Sequence, residues 1–104
     1  MSDEIHVGDI GTRIELTVLK DNLPLNLSTA TDIDLVIGRP TAAKLTVTPT
    51  FVTDGTDGKV YYLTVINDLS EAGIYQLQII ATFSGGKWHS EIVKMRVYAN
   101  VLGV

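Results

Sequence analysis

Few side chains in this sequence of 104 residues could do acid–base, nucleophilic or metal chemistry, and their spacing does not gather them. There are two histidines, His6 and His89, and no cysteine. Thiol nucleophiles, disulfides and cysteine-ligated zinc are therefore excluded. His89 follows Trp88 just after a Ser-Gly-Gly-Lys turn, the ordinary setting of an exposed histidine. Serine, histidine and aspartate all occur, but without a G-x-S-x-G elbow or a glycine-rich phosphate loop. The best metal candidate is Asp54-Gly55-Thr56-Asp57-Gly58, since two carboxylates and exposed carbonyls suit Ca²⁺. It lacks the third oxygen ligand and the distal glutamate of an EF-hand loop, and Asp-Gly pairs are what a hairpin turn asks of the backbone. Asp32 and Asp34 share one face of an extended segment and read as a solvated outer face, because a catalytic carboxylate pair needs a cleft. The expectation is a chain with no catalytic residue, no metal and no cofactor.

Binding chemistry leaves more to consider. Lys87, Trp88, Lys94, Arg96 and Tyr98 interleave cations with aromatics, a pattern that can stack bases. Glu91 interrupts it, and the formal charge of -4 with a pI near 4.9 opposes a phosphate-backbone partner. Nucleic acid is not expected. Thr46, Thr48 and Thr50 form a neutral strip that could accept another strand. The C-terminal segment 100–104 contains Val101, Leu102 and Val104 and no charge, so it either closes on its own domain or docks on a neighbour. These six residues are the candidate assembly contacts. Trp88, Tyr61 and Tyr62 are the candidates for stacking on a sugar if the chain is instead a glycan- or receptor-binding adhesion module.

The elements that must position these residues are strands. Period-2 alternation dominates and helical period is nearly absent. Ile14, Leu16 and Val18 alternate with Arg13, Glu15 and Thr17. A turn over 20–24 follows, then a second strand over 32–38. Residues 44–53 alternate again, with Pro49 marking an edge or a bulge. The Asp-Gly loop leads into 59–66, and 67–73 offers one helical turn at most. Tyr75, Leu77, Ile79, Ala81 and Phe83 share a face of 74–83. After a turn at 84–87 the last strand runs over 88–99, with Val93, Met95 and Val97 facing inward. Trp88 and Ile92 are out of phase with that set, which predicts a bulge between them. With a short strand near 5–7, the count is about seven strands and the pattern is that of an antiparallel β-sandwich. Tyr75 follows Gly73 after an acidic turn. It is either a tyrosine corner bonded to the upstream backbone, as in immunoglobulin-like sandwiches, or a plain core tyrosine.

Length and composition bound the whole. A chain of 11.3 kDa allows one domain, 1–104, with a core over about 7–98 and an apolar tail over 99–104. Folding would hide roughly 65% of the surface of the unfolded chain, enough for a core without staples. Hydrophobic residues make up 45% and charged residues 19%, which excludes a disordered chain. No run approaches ~18 consecutive apolar residues, so no membrane-spanning helix is expected, and the acidic N-terminus does not read as a secretory signal. Composition predicts a soluble protein made in a cytoplasm.

The order of segments also carries a resemblance. Val7-Gly8-Asp9-Ile10-Gly11-Thr12 leads into the first long strand and Leu25-Asn26-Leu27-Ser28-Thr29-Ala30-Thr31 into the second. Ile37-Gly38-Arg39-Pro40, Gly58-Lys59-Val60-Tyr61-Tyr62, Asp68-Leu69-Ser70-Glu71-Ala72-Gly73-Ile74-Tyr75 and the closing 83–91 follow. From about Val7 to Val97 the chain resembles the immunoglobulin-like N-terminal domain of upper baseplate (tail) proteins of siphophages and prophages. The resemblance implies an all-β, immunoglobulin-like antiparallel sandwich without a disulfide. It further implies a non-enzymatic bacteriophage virion structural protein of the baseplate, tail tip, connector or capsid surface. Expected partners are other virion proteins in a homo-oligomer or symmetric assembly, with no nucleic acid and no membrane. Where upper baseplate proteins continue into a linker and a receptor-proximal domain, this chain stops at Val104.

Overall fold

A computed structural model describes residues 5–41 and 43–100. Its elements are strands throughout: β1 (Ile5–His6), β2 (Arg13–Thr17), β3 (Leu19–Lys20), β4 (Leu23–Pro24), β5 (Asp32–Gly38), β6 (Leu45–Val47), β7 (Thr50–Phe51), β8 (Lys59–Leu63), β9 (Gly73–Phe83), β10 (Gly86–His89) and β11 (Val93–Tyr98). The period-2 reading of an all-β chain holds because alternating side chains can be buried from one face of a strand only. A larger sheet runs in the order β1-β11-β9-β5-β6, with β10 also on β9. A smaller sheet runs β2-β8-β7, and β3 and β4 form a separate hairpin. All pairings are antiparallel except β1 with β11.

One apolar cluster joins the sheets into a sandwich-like fold. β9 supplies Tyr75, Leu77, Ile79 and Ala81, β5 supplies Leu35 and Ile37, and β11 supplies Val97. Ile14 of β2 and Val60 of β8 meet them from the smaller sheet, with Val18, Leu27 and Leu69 entering from loops. Glycine is required at one seam of this core. Gly58 has φ +71, and a Cβ there would lie 2.7 Å from the Val18 carbonyl oxygen and 2.9 Å from that of Leu25. Its own carbonyl accepts the Val18 N–H at 2.8 Å, so loop and strand end cannot separate to make room.

The expected bulge lies between β10 and β11. Trp88 pairs with Ala81 and His89 with Ile80, whereas Val93 pairs with Leu77. Residues 90–92 therefore face only 78 and 79, one extra residue on the outer strand. Ser90 fills the gap: its N–H donates to the Ile79 carbonyl at 2.8 Å, and its hydroxyl oxygen accepts the Ile79 N–H at 2.9 Å. A side chain thus replaces a ladder carbonyl, and no backbone donor of this buried residue is stranded.

Two strand expectations are corrected. Residues 44–53 are not one strand: at Thr48–Pro49 the chain leaves β5 and joins β8, since Pro49 has no N–H for a ladder. The strand expected over 59–66 ends at Leu63. Residues 67–73, where one helical turn at most was expected, form a non-helical turn: Asn67 takes φ +72 and Asp68 closes it through its side chain. The turn expected over 20–24 is present as a small hairpin, with Asp21 and Asn22 both at positive φ, the geometry of a two-residue type I′ loop. Of the three residues expected inward on the last strand, Val97 is buried and Met95 half-buried. Val93 remains exposed, because beside the bulge it borders an open depression with Leu16, Thr17 and Leu19.

Gly58→Ala is expected to lower unfolding free energy by about 3 kcal/mol or more, or to prevent folding, through left-handed backbone strain added to a backbone clash. Gly85→Ala, with nothing within 4 Å of its Cβ position, is the control and should stay within about 0.5 kcal/mol of wild type in urea titrations.

Candidate functional site

The loop singled out for metal is occupied by its own hydrogen bonds. Asp54 Oδ1 accepts the Thr56 N–H at 3.0 Å and the Thr56 hydroxyl at 2.6 Å. The Thr56 bonds hold the Asp54 carboxyl below its ordinary range. Asp57 accepts the Lys59 N–H through Oδ1 and the Thr53 hydroxyl through Oδ2, both at 3.1 Å. These are Asx-type turns that shape the loop. Its Gly55 carbonyl then accepts the N–H of the fully buried Leu27 at 2.7 Å. Among the described residues no three His, Asp or Glu side chains are grouped to hold a metal ion. No helix among them is long and apolar enough to cross a membrane.

The three aromatics proposed to stack on a ligand do not share a face. Trp88 pairs with buried Ala81, so it stands on the inner side of β10, 43% exposed, with Lys20 Nζ 4.2 Å from its ring centroid. Tyr61 and Tyr62 are neighbours on β8 and point to opposite sides. Arg13 lies over the Tyr61 ring at 4.0 Å. Tyr62 packs against the core, and its hydroxyl donates to Asp68 Oδ2 at 2.6 Å. The cations of the last strand separate from Trp88 in the same way, with Lys87, Lys94 and Arg96 on the outer side of the larger sheet.

The residues proposed for assembly fall into two groups. Thr46 on β6, Thr48 in the crossover and Thr50 on β7 are all exposed. β6 and β7 are terminal strands of their sheets, so one threonine strip runs along two open edges. Leu45, Val47 and Phe51, which alternate with it, pack against the core. Val101, Leu102 and Val104 lie outside the described residues.

The structure adds a surface that the sequence reading did not find. Ile10 (65% exposed), Leu63 (48%), Val65 (53%) and Ile66 (70%) stand at one pole of the fold. Loop 8–12 is laced to 64–69 there: the Gly11 N–H donates to the Thr64 carbonyl at 2.8 Å, and the Thr64 N–H to the Thr12 carbonyl at 3.0 Å. The Gly8 N–H donates to the Leu69 carbonyl at 2.8 Å. Asp68 closes the turn beneath, accepting the Val65 N–H at 2.9 Å beside the Tyr62 hydroxyl. The available signal was the run Tyr62-Leu63-Thr64-Val65-Ile66, which is apolar on both phases. A strand in a two-layer fold cannot bury both.

No protein-family model matches the sequence, and no curated protein matches it either.

Burial first, then the Asp68 carboxylate, pushes the Tyr62 phenol up to about 12. Burial also raises that of Tyr75. A phenol whose folded pKa exceeds its unfolded value favours folding below the unfolded pKa and loses that contribution as pH rises through the folded one. The urea midpoint is therefore expected to fall between about pH 10 and pH 12. Tyr62→Phe should flatten part of this fall. At neutral pH it should cost about 1–3 kcal/mol, because Asp68 keeps only the Val65 N–H as donor.

Proposed function

We propose that this chain is an immunoglobulin-like module serving as a non-enzymatic structural part of a bacteriophage virion, at the baseplate, tail tip, connector or capsid surface. The order β11-β9-β5 in one sheet and β2-β8-β7 in the other supports the immunoglobulin-like part. It corresponds to strands G, F and C of that fold facing B, E and D, with β6 in the place of C′. The Tyr75 hydroxyl, donating to the Glu71 carbonyl at 2.7 Å, is the corner bond of such sandwiches. The turn residues that resemble phage baseplate domains support the virion part, in which the chain is made in the bacterial cytoplasm and built into the particle.

The observation that carries a contact function is the apolar pole of Ile10, Leu63, Val65 and Ile66. Four large apolar side chains held out by a hydrogen-bonded loop pair are costly in water and gain on burial against a neighbour. In this reading the pole and the threonine edge are where neighbouring virion subunits seat.

Quantitative mass spectrometry of purified particles is the test. The chain should be present, in many copies if it decorates a capsid and in few if it belongs to a tail tip or connector. Its absence from particles overturns the proposal. Ile10→Lys combined with Ile66→Lys should leave the melting temperature within a few degrees while reducing incorporation at least tenfold. Unchanged incorporation would remove the pole from the contact.

A further inference from the structure

The outer face of the larger sheet carries its charges in opposed columns. Side chains directly opposite across a ladder share a face, so the pairings of β9 place the outer residues in rows. Lys87, Thr82 and Asp32 form one row; His89, Ile80 and Asp34 form the next. Beyond the bulge come Gln78, Val36 and Thr46, and then Lys94, Gln76 and Gly38. Arg96 and Ile74 make the last. Basic residues thus lie along β10–β11 and acidic ones on β5, with a neutral and apolar strip between them. Lys87 and Asp32 are both exposed, and no hydrogen bond or ion pair among the described residues joins either to another side chain. In the middle, a depression of about 200 Å³ opens between Val36, Gly38 and Lys44 on one side and Ile92 on the other, over Gln76 and Gln78. Ile92, raised by the bulge, is 56% exposed.

We propose that this face binds a second copy of the chain about a two-fold axis running roughly along β9. Such an axis exchanges the columns on either side of β9 and keeps each row at its height. Lys87 of each copy then lies over Asp32 of the other, and His89 over Asp34, so the Lys87–Asp32 charge contact forms twice. Ile92 of each copy comes down over Val36 and Gly38 of the other, where glycine leaves room. An axis across the strands would scramble the rows, and a translated copy would form each contact only once. Four strands about 4.8 Å apart and about seven residues long offer about 450 Å² per copy, below the standard interface size, so the dimer is weak and salt-dependent. This deepens the assembly reading by naming a partner and rests on that reading only for its setting in a particle.

The test is sedimentation equilibrium of the full chain at low and high salt, with Lys87→Glu, Asp32→Lys and an equimolar mixture of the two. Wild type should dimerise reversibly with a Kd on the order of 100 µM at low salt and several-fold more weakly at high salt. Each single variant should bind itself at least about tenfold more weakly, since two attractions become two repulsions. The mixture should restore dimer, because the mixed pair regains one native and one reversed charge contact. Should either variant fail to fold, Ile92→Asp takes its place, and loss of dimer is expected. A wild-type chain that stays monomeric into the millimolar range overturns the proposal. So do single variants that dimerise like wild type, or a mixture that does not recover. None of these results touches the particle analysis, which stands or falls on the chain's presence in virions.

Discussion

Tyr75 fixes how the chain enters its central strand. The ring is fully buried among Leu77, Ile79 and the facing sheet, while the hydroxyl donates to the Glu71 carbonyl and accepts the Glu71 N–H at 3.2 Å. Burying the ring is worth about 3 kcal/mol and the hydroxyl bond about 1 kcal/mol, so burial supplies the drive and the bond sets position. The corner is braced by the segment that follows β5. The Glu71 carboxylate accepts the Thr41 N–H at 2.7 Å and also the Thr41 hydroxyl, while Arg39 donates to the carbonyls of Ala43 and Asn67. Gly73 turns at φ +136 above Pro40, where a Cβ would lie 2.7 Å from the ring. With its start held, β9 cannot slip, and a slip of one residue would turn its whole buried set to solvent. β5, β10 and β11 take their registers from β9, so most of the larger sheet inherits this constraint.

The polar residues nearest the core serve the fold. Thr64 accepts the Thr12 N–H at 3.0 Å, Asp68 holds Tyr62 and Val65, and Ser90 completes the ladder at the bulge. Among the described residues no buried side-chain polar atom lacks a partner. Each of these groups would cost about 1–3 kcal/mol if orphaned. The surface differs. Its distinguishing features are an apolar pole, a threonine edge and a face with separated charge columns.

Much of the fold and part of the site were legible in the residues. Alternation over 13–18, 32–38 and 74–83 determined the strands and their inward faces, because a pleated strand offers only two sides. Pro49 and the phase break after Trp88 located an interruption in each strand, and the spacing of Glu71, Gly73 and Tyr75 narrowed Tyr75 to a corner or a plain core residue. None of these needs knowledge of a distant partner. The tertiary structure decided what depends on long-range pairing. It made Pro49 a crossover between sheets, stopped β8 at Leu63, and set Tyr62 inward beside Asp68 with Trp88 on the opposite sheet. It also laid loop 8–12 against Thr64 so that Ile10 and Ile66 stand out together, and it brought Lys87 and Asp32 onto one face across β9. Residues 50 or more apart meet only when sheet order is chosen. Local pattern specifies which face of a strand is buried, whereas the order of strands specifies which exposed residues become neighbours.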